Sequence, residues 1–197
     1  MPDPERYDER TALIVVDVQN DFADPAGGLY VRGGETIIER INSEVAAAQD
    51  AGAFVIYTQD WHPERTPHFQ KDGGVWPVHC VKDTWGAELH PRLRVEGEVL
   101  RKGTGGEDGY SGFTVRDPES GAEAPTALER MLRERDIGRI VVVGLAADVC
   151  VEATARDGVE KGFATTVLRD ATRGVDLEPG DTERAFEALE AAGVAVE

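Results

Sequence analysis

Three of the four histidines in this 197-residue chain fall in one short stretch that also carries an Asp-Trp-His triplet. The stretch runs Gln59-Asp60-Trp61-His62-Pro63, then His68-Phe69, then Trp76-Pro77-Val78-His79-Cys80. It follows Ala53-Phe54-Val55-Ile56-Tyr57-Thr58, an apolar run that reads as a buried strand. A carboxylate and imidazoles gathered in a loop after a strand are the usual raw material of a divalent metal site. The C-terminal edge of an open α/β sheet is also where such sheets bind ligands.

A second chemistry is written around Cys150, in Gly144-Leu145-Ala146-Ala147-Asp148-Val149-Cys150-Val151. This segment lies between an apolar strand and a helix, so the sulfur falls in the first helical turn. Unpaired N–H groups there favour negative charge and can depress a thiol pKa. The same N–H groups can hold an oxyanion. Asp17 closes the first apolar run, Leu13 to Val18, and a carboxylate in such a run needs a partner. Lys102 ends another strand candidate. If those strand ends meet at the cysteine turn, Asp17 can accept the thiol proton while Lys102 pairs with the carboxylate. Cys80, beside His79, is the rival thiol and reads as structural.

The elements that would position these groups alternate. Strands are expected at Thr11–Val18, Ala53–Thr58, Glu98–Lys102, Arg139–Gly144, Phe163–Leu168 and Gly193–Val196. Helical spacing covers Glu35–Ala51, Thr126–Arg135, Asp148–Lys161 and Asp181–Ala192. Residues 60–95 and 103–125 read as excursions rich in Gly, Pro or polar residues, the first with a short helix. The alternation implies a three-layer α/β/α fold around a mostly parallel, roughly six-stranded sheet. One domain over 1–197 is expected, with 1–10 as a flexible N-terminal segment.

Net charge is −17, which disfavours phosphate backbones and anionic lipid surfaces, so neither nucleic acid nor membrane is expected as a partner. No apolar run reaches the roughly 20 residues that cross a bilayer, and no secretory signal is visible. Two cysteines make no disulfide framework, so a reducing, cytoplasmic setting is expected. The loop Gly103-Thr104-Gly105-Gly106-Glu107-Asp108-Gly109 superficially suggests a phosphate cradle. Its spacing matches no dinucleotide motif and its acids repel phosphate, which argues against a nucleotide-binding module. No Gly-x-Ser-x-Gly elbow is present, so a serine hydrolase is not expected.

Taken together, Asp17-Val18-Gln19-Asn20-Asp21-Phe22, Asp60-Trp61-His62, Trp76-Pro77-Val78-His79-Cys80, Arg101-Lys102-Gly103, Tyr110-Ser111-Gly112-Phe113 and Gly144 to Val151 resemble the isochorismatase-like cysteine hydrolases. The metal segment narrows the resemblance to the nicotinamidase branch, which deamidates nicotinamide and also acts on pyrazinamide. The resemblance implies a triad of Asp17, Lys102 and Cys150, with metal ligands at Asp60, His62 and His79. His68 matches a ligand that only some members carry. It also implies aromatic pocket walls at Phe22, Trp76 and Tyr110, and a non-proline cis peptide at Leu145–Ala146 that aims the N–H groups of Ala146 and Cys150 at the oxyanion. The implied cofactor is one divalent ion, zinc first, with iron or manganese as the other candidates. The alternative is a relative that uses the same thiol on a different small amide or vinyl ether. Two departures stand out: Ala147 where threonine is common, and the acidic, glycine-rich loop at 103–109. Homo-oligomerisation is left open, since members of the family vary.

Overall fold

All six side chains of strand β1 (Thr11–Val16) are buried, because β1 lies inside the sheet with helices on both faces. The computed structural model describes residues 6–197. From β1 the chain passes through a short helix α1 (Asn20–Ala23) to helix α2 (Ile38–Asp50) and on to β2 (Phe54–Asp60) and β3 (Glu98–Lys102). It then forms a small antiparallel hairpin, β4 (Thr114–Arg116) with β5 (Glu123–Pro125), and helix α3 (Leu128–Arg133). Strand β6 (Arg139–Leu145) leads through a π-helical turn, Ala147–Val151, into α4 (Glu152–Glu160). Strand β7 (Ala164–Arg173), helix α5 (Asp181–Ala191) and β8 (Ala195–Val196) complete the order.

The six long-range strands pair in the order β3-β2-β1-β6-β7-β8, every pair parallel. Alternation along β1 divides the core in two. Leu13 and Val15 pack on α2 through Ile38, Ile41, Val45 and Ala48, while Ala12, Ile14 and Val16 face α3, α4 and α5 through Leu128, Leu132, Ala155, Phe186 and Leu189. The chain winds outward through β2 and β3, then crosses to β6 on the other side of β1. That reversal opens a crevice at the C-terminal ends of β1 and β6.

The expected three-layer fold with a six-stranded parallel sheet is therefore the observed one. Differences lie at the edges of elements. β1 stops at Val16, because Asp17 turns the chain with φ +48°. The segment 60–95 holds two short 3-10 turns, Gln70–Asp72 and Trp85–Ala87, instead of one helix. β7 runs to Arg173, beyond the expected Leu168, by re-pairing with β6 past an irregularity between Val142 and Gly144. The hairpin β4–β5 is invisible in the sequence because it is exposed and polar, with no buried face to set a pattern. Residues 1–5 of the expected flexible segment lie outside the described residues. At 6–10 the chain is anchored instead: Tyr7 is buried, and its hydroxyl donates to the fully buried Glu44 carboxylate at 2.6 Å. Among the described residues no helix is long and apolar enough to cross a membrane.

Gly144 has φ +112°, and an added Cβ would sit 2.1 Å from the Val16 carbonyl oxygen. Both the backbone conformation and the strand approach therefore require glycine. Gly144→Ala should lower unfolding free energy by about 4 kcal/mol in a denaturant titration; a loss below about 1 kcal/mol would show that this approach does not constrain the β1–β6 pairing.

Candidate active site

The parallel register places Asp60, the last residue of β2, opposite Lys102, the last residue of β3. Asp17 follows the end of β1 between them and β6. Three neighbouring strands thus deliver one cation and two carboxylates to one edge. The Lys102 ammonium donates to Asp17 Oδ2 at 2.7 Å, to Asp60 Oδ1 at 2.6 Å and to the Gly109 carbonyl. All three charged side chains are buried. The other oxygen of Asp17 accepts from the Thr58 hydroxyl at 2.7 Å. Gln19 brackets Asp60, its amide donating to the Asp60 carbonyl and its oxygen accepting the Asp60 N–H, each at 2.8 Å.

Two carboxylates sharing one ammonium do not titrate alike. Burial raises Asp17 to about 6, and the neighbouring Asp60 charge adds to that, against the pull of Lys102. For Asp60 burial also pushes upward, but Lys102 and the imidazoles of His62 and His79 outweigh it and hold the group well below the usual carboxylate range. Burial alone would lower Lys102, yet Asp17 and Asp60 keep it well above its ordinary value. It is a permanent cation here.

Cys150 lies in the π-helical turn between β6 and α4, 7% exposed. One ligand-type atom from each of Asp17, Asp60 and Cys150 lies within 4.8 Å of the others. The Leu145–Ala146 peptide is cis. Among the described residues, no group outside the turn accepts from the N–H of Ala146 or of Cys150. The thiol itself departs from the depressed pKa that a helix-start position suggests. Burial pushes it well above the ordinary value, and the carboxylates of Asp17 and Asp60 add to this against Lys102. The main reason is burial: the sulfur has lost the water that would solvate a thiolate. The resting group is a neutral thiol.

His62, His68 and His79 each offer a ring nitrogen within 4.8 Å of the other two. His62 Nε2 is 3.8 Å from Asp60 Oδ2, so the histidine cluster and the Lys102 trio share Asp60. Both ring nitrogens of His62 are buried without a hydrogen-bond partner. His79 Nδ1 contacts the Pro77 carbonyl at 2.7 Å, and His68 Nδ1 contacts Asp108 Oδ1 at 2.6 Å. Since a carbonyl or carboxylate accepts, both rings carry the proton on Nδ1, which leaves Nε2 as the lone-pair nitrogen. Burial lowers His79 to about 4 and also lowers His68, so both are neutral near pH 7. Orphaned nitrogens, neutral imidazoles and an adjacent carboxylate fit a divalent cation. The residues form a candidate metal-binding group.

A narrow, partly open cavity lies beside these groups. It is lined by Phe22, Trp76 and Tyr110, by Asp60, His68 and His79, and by Ala146 and Cys150. Trp76 Nε1–H donates to the Tyr110 hydroxyl at 2.9 Å. The structure therefore brings together all the residues singled out from sequence, with Lys102 and Asp17 just beneath the cavity floor. Cys80 is fully buried behind it, its sulfur 3.9 Å from the Gly86 carbonyl oxygen.

Several contributors had no legible signal. Leu29, Val31, Val149 and Val175 complete the apolar lining. Asp148 accepts the N–H groups of Val175 and Asp176, each at 2.8 Å, and so fastens that wall to the cysteine turn. Asp108 and the Gly109 carbonyl come from the acidic loop, which the sequence offered only as an anomaly.

Residues 11–197 match the model of the Isochorismatase domain. The chain belongs to the isochorismatase family. Within that family it is 40% identical over 190 residues to the nicotinamidase/pyrazinamidase of Mycobacterium tuberculosis, across 93% of this chain and 96% of that protein. The isochorismatase fold is shared with the pyrazinamidase of Pyrococcus horikoshii in complex with zinc, at TM-score 0.84 and 38% identity over 95% of this chain and 98% of that one. It is shared equally with the PnC1 protein of L. infantum in complex with nicotinate, at TM-score 0.87 and 34% identity over 96% and 92% of the two chains.

Removing the shared cation leaves two buried carboxylates facing each other. Lys102→Met should therefore destabilise the fold by about 3–5 kcal/mol near pH 7. Without Lys102, Asp17 titrates higher still, so the folded variant binds protons more tightly than its unfolded chain and the deficit should shrink as pH falls toward 4. Denaturant unfolding at the two pH values checks this; a deficit that grows on acidification contradicts the shared-cation account.

Proposed function

We propose that this chain is an amidohydrolase that converts nicotinamide to nicotinate and ammonia, and accepts pyrazinamide, through a thioester on Cys150. One observation carries the reading. A thiol backed by an acid–lysine pair and a three-histidine cluster with its own carboxylate open on the same aromatic-walled cavity. The family relatives that bear nicotinamidase and pyrazinamidase names, and the neighbour in complex with nicotinate, point to the same ring-bearing amide.

Asp60, His62, His68 and His79 would hold a divalent ion, with zinc favoured by the imidazole-rich set and by the zinc complex of the P. horikoshii neighbour. Such an ion, when bound, supplies an electrophilic anchor for a heteroaromatic nitrogen and so acts as an orienting template. The remaining chemistry belongs to side chains and backbone. Phe22, Trp76 and Tyr110 wall the ring and exclude water, presenting the carboxamide to Cys150. Asp17, whose raised pKa makes it a stronger base than an exposed aspartate, removes the thiol proton. The resulting thiolate attacks the carboxamide carbon, and the N–H groups of Ala146 and Cys150 receive the negative oxygen.

Asp17 then returns the proton to the departing nitrogen. The C–N bond breaks, ammonia leaves, and the acyl group remains on sulfur as a thioester. A water molecule gives a proton to Asp17 and attacks the thioester; the C–S bond breaks, the sulfur takes that proton back, and the acid product loses its remaining proton to solvent and leaves as the carboxylate. Lys102 stays charged throughout and holds Asp17 in place.

Cys150→Ala should abolish ammonia release across a panel of nicotinamide, pyrazinamide and aliphatic amides, while bound metal is retained. Wild-type turnover confined to aliphatic amides would replace this substrate class, and turnover by the variant would remove the nucleophile. For pH, Asp17 must be deprotonated to act. As pH falls through its raised pKa of about 6, kcat/KM should fall, approaching about tenfold per further unit. A profile flat down to pH 4 contradicts Asp17 as the base.

A further inference from the structure

The acidic loop at 103–109 places its last acid, Asp108, against the histidine cluster. Asp108 Oδ1 lies 2.6 Å from His68 Nδ1, and both side chains are buried, at 6% and 4% exposure. The carboxylate has one other charged neighbour, the half-exposed Arg116, whose Nε is 3.8 Å from Oδ2. Its backbone is fixed on both sides: Asp108 N–H donates to the Arg116 carbonyl at 2.7 Å, and Arg116 N–H returns the bond at 3.0 Å. Thr66 ties the two partners' segments together. Its hydroxyl donates to the Gly106 carbonyl at 2.5 Å and accepts the His68 N–H at 3.1 Å. Asp108 and His68 are therefore held in place by the backbone of both segments that carry them.

The neighbouring residues of the same loop reach the other parts of the site. The Gly109 carbonyl accepts from the Lys102 ammonium, and the Tyr110 hydroxyl accepts from Trp76. Gly109 has no room for a side chain, since a Cβ would sit 2.8 Å from Asp60 Oδ1. Three consecutive residues thus address the histidine cluster, the shared cation and the pocket wall.

Resting on the metal-binding reading above, we propose that Asp108 is a positioning residue that locks His68 in the Nδ1–H tautomer, so that His68 serves as a fourth protein donor to a divalent ion. A free imidazole populates both neutral tautomers, so neither ring nitrogen is held in advance as the lone-pair donor. A buried carboxylate on Nδ1–H fixes the ring's rotation, keeps Nε2 unprotonated and increases its basicity. The loop's acidity is therefore part of the cation site, and its removal should loosen the ion without touching the thiol.

The test uses zinc alone with metal-stripped protein. Zinc affinity is measured by chelator competition for the wild type, Asp108→Ala, Asp108→Asn and His79→Ala, with 15N spectra of the imidazoles in the zinc-free form. Asp108→Ala should weaken zinc binding about 10–100-fold. It should also move His68 from the Nδ1–H form to a mixture containing Nε2–H. Asp108→Asn keeps the volume and one acceptor oxygen, so it should fold as the wild type does and fall between the two in affinity. Unchanged affinity and an unchanged His68 tautomer in Asp108→Ala, with weakened binding in His79→Ala, overturn the role of Asp108 and leave the metal site standing. Unchanged affinity in His79→Ala as well removes the metal site and this role with it.

Discussion

The site depends on one buried ammonium held between two carboxylates. Lys102, Asp17 and Asp60 stand at the ends of three adjacent parallel strands, and all three are buried, Asp60 alone bordering the cavity. Any one of these charges alone would be expelled from the interior or neutralised. Together they are mutually satisfied, and the surplus negative charge falls on the trio. Burial, with that surplus adding to it, accounts for the two unusual titrations at the site: Asp17 is pushed upward, and the thiol beside it is raised as well. The arrangement places the thiol within 4.8 Å of the Asp17 carboxylate, the pair to which the proposed proton transfer is assigned.

Asp60 makes this interaction more than a local matter. Its Oδ1 binds Lys102 while its Oδ2 faces His62, so the acid–lysine pair and the histidine cluster cannot shift independently. The loop at 108–110 doubles the connection from above, through a carboxylate on His68 and a carbonyl on Lys102. The thiol and the histidine cluster are thereby tied to the same set of hydrogen bonds beside the cavity.

Much of this was legible because the fold encodes it in apolar periodicity. The apolar runs read as strands at 11–18 and 139–144 correspond to β1 and β6, and the polar residues at the ends of such runs were expected to meet at one edge. Asp17, Lys102 and Cys150 announced themselves as charged or reactive groups beside apolar runs, and the histidines did so by crowding. What stayed hidden depends on long-range geometry. Nothing local links His68 to Asp108, forty residues apart, or Asp148 to the backbone of Val175. The raised titration of Cys150 was equally unreadable, because it comes mainly from burial of the sulfur by distant parts of the chain, which the local turn does not reveal. Element boundaries slipped where a functional residue ended a strand: β1 stops one residue before Asp17, which takes a left-handed conformation that the apolar pattern does not foretell.

The central claim is that thiol and histidine cluster act on the two ends of one small molecule. It is tested most directly by a crystal structure of the Cys150→Ala variant, loaded with zinc and nicotinamide. The account predicts the ring between Phe22, Trp76 and Tyr110, its nitrogen toward the histidines and its carboxamide over position 150. A ring bound with the carboxamide toward the histidines, or outside this cavity, contradicts it.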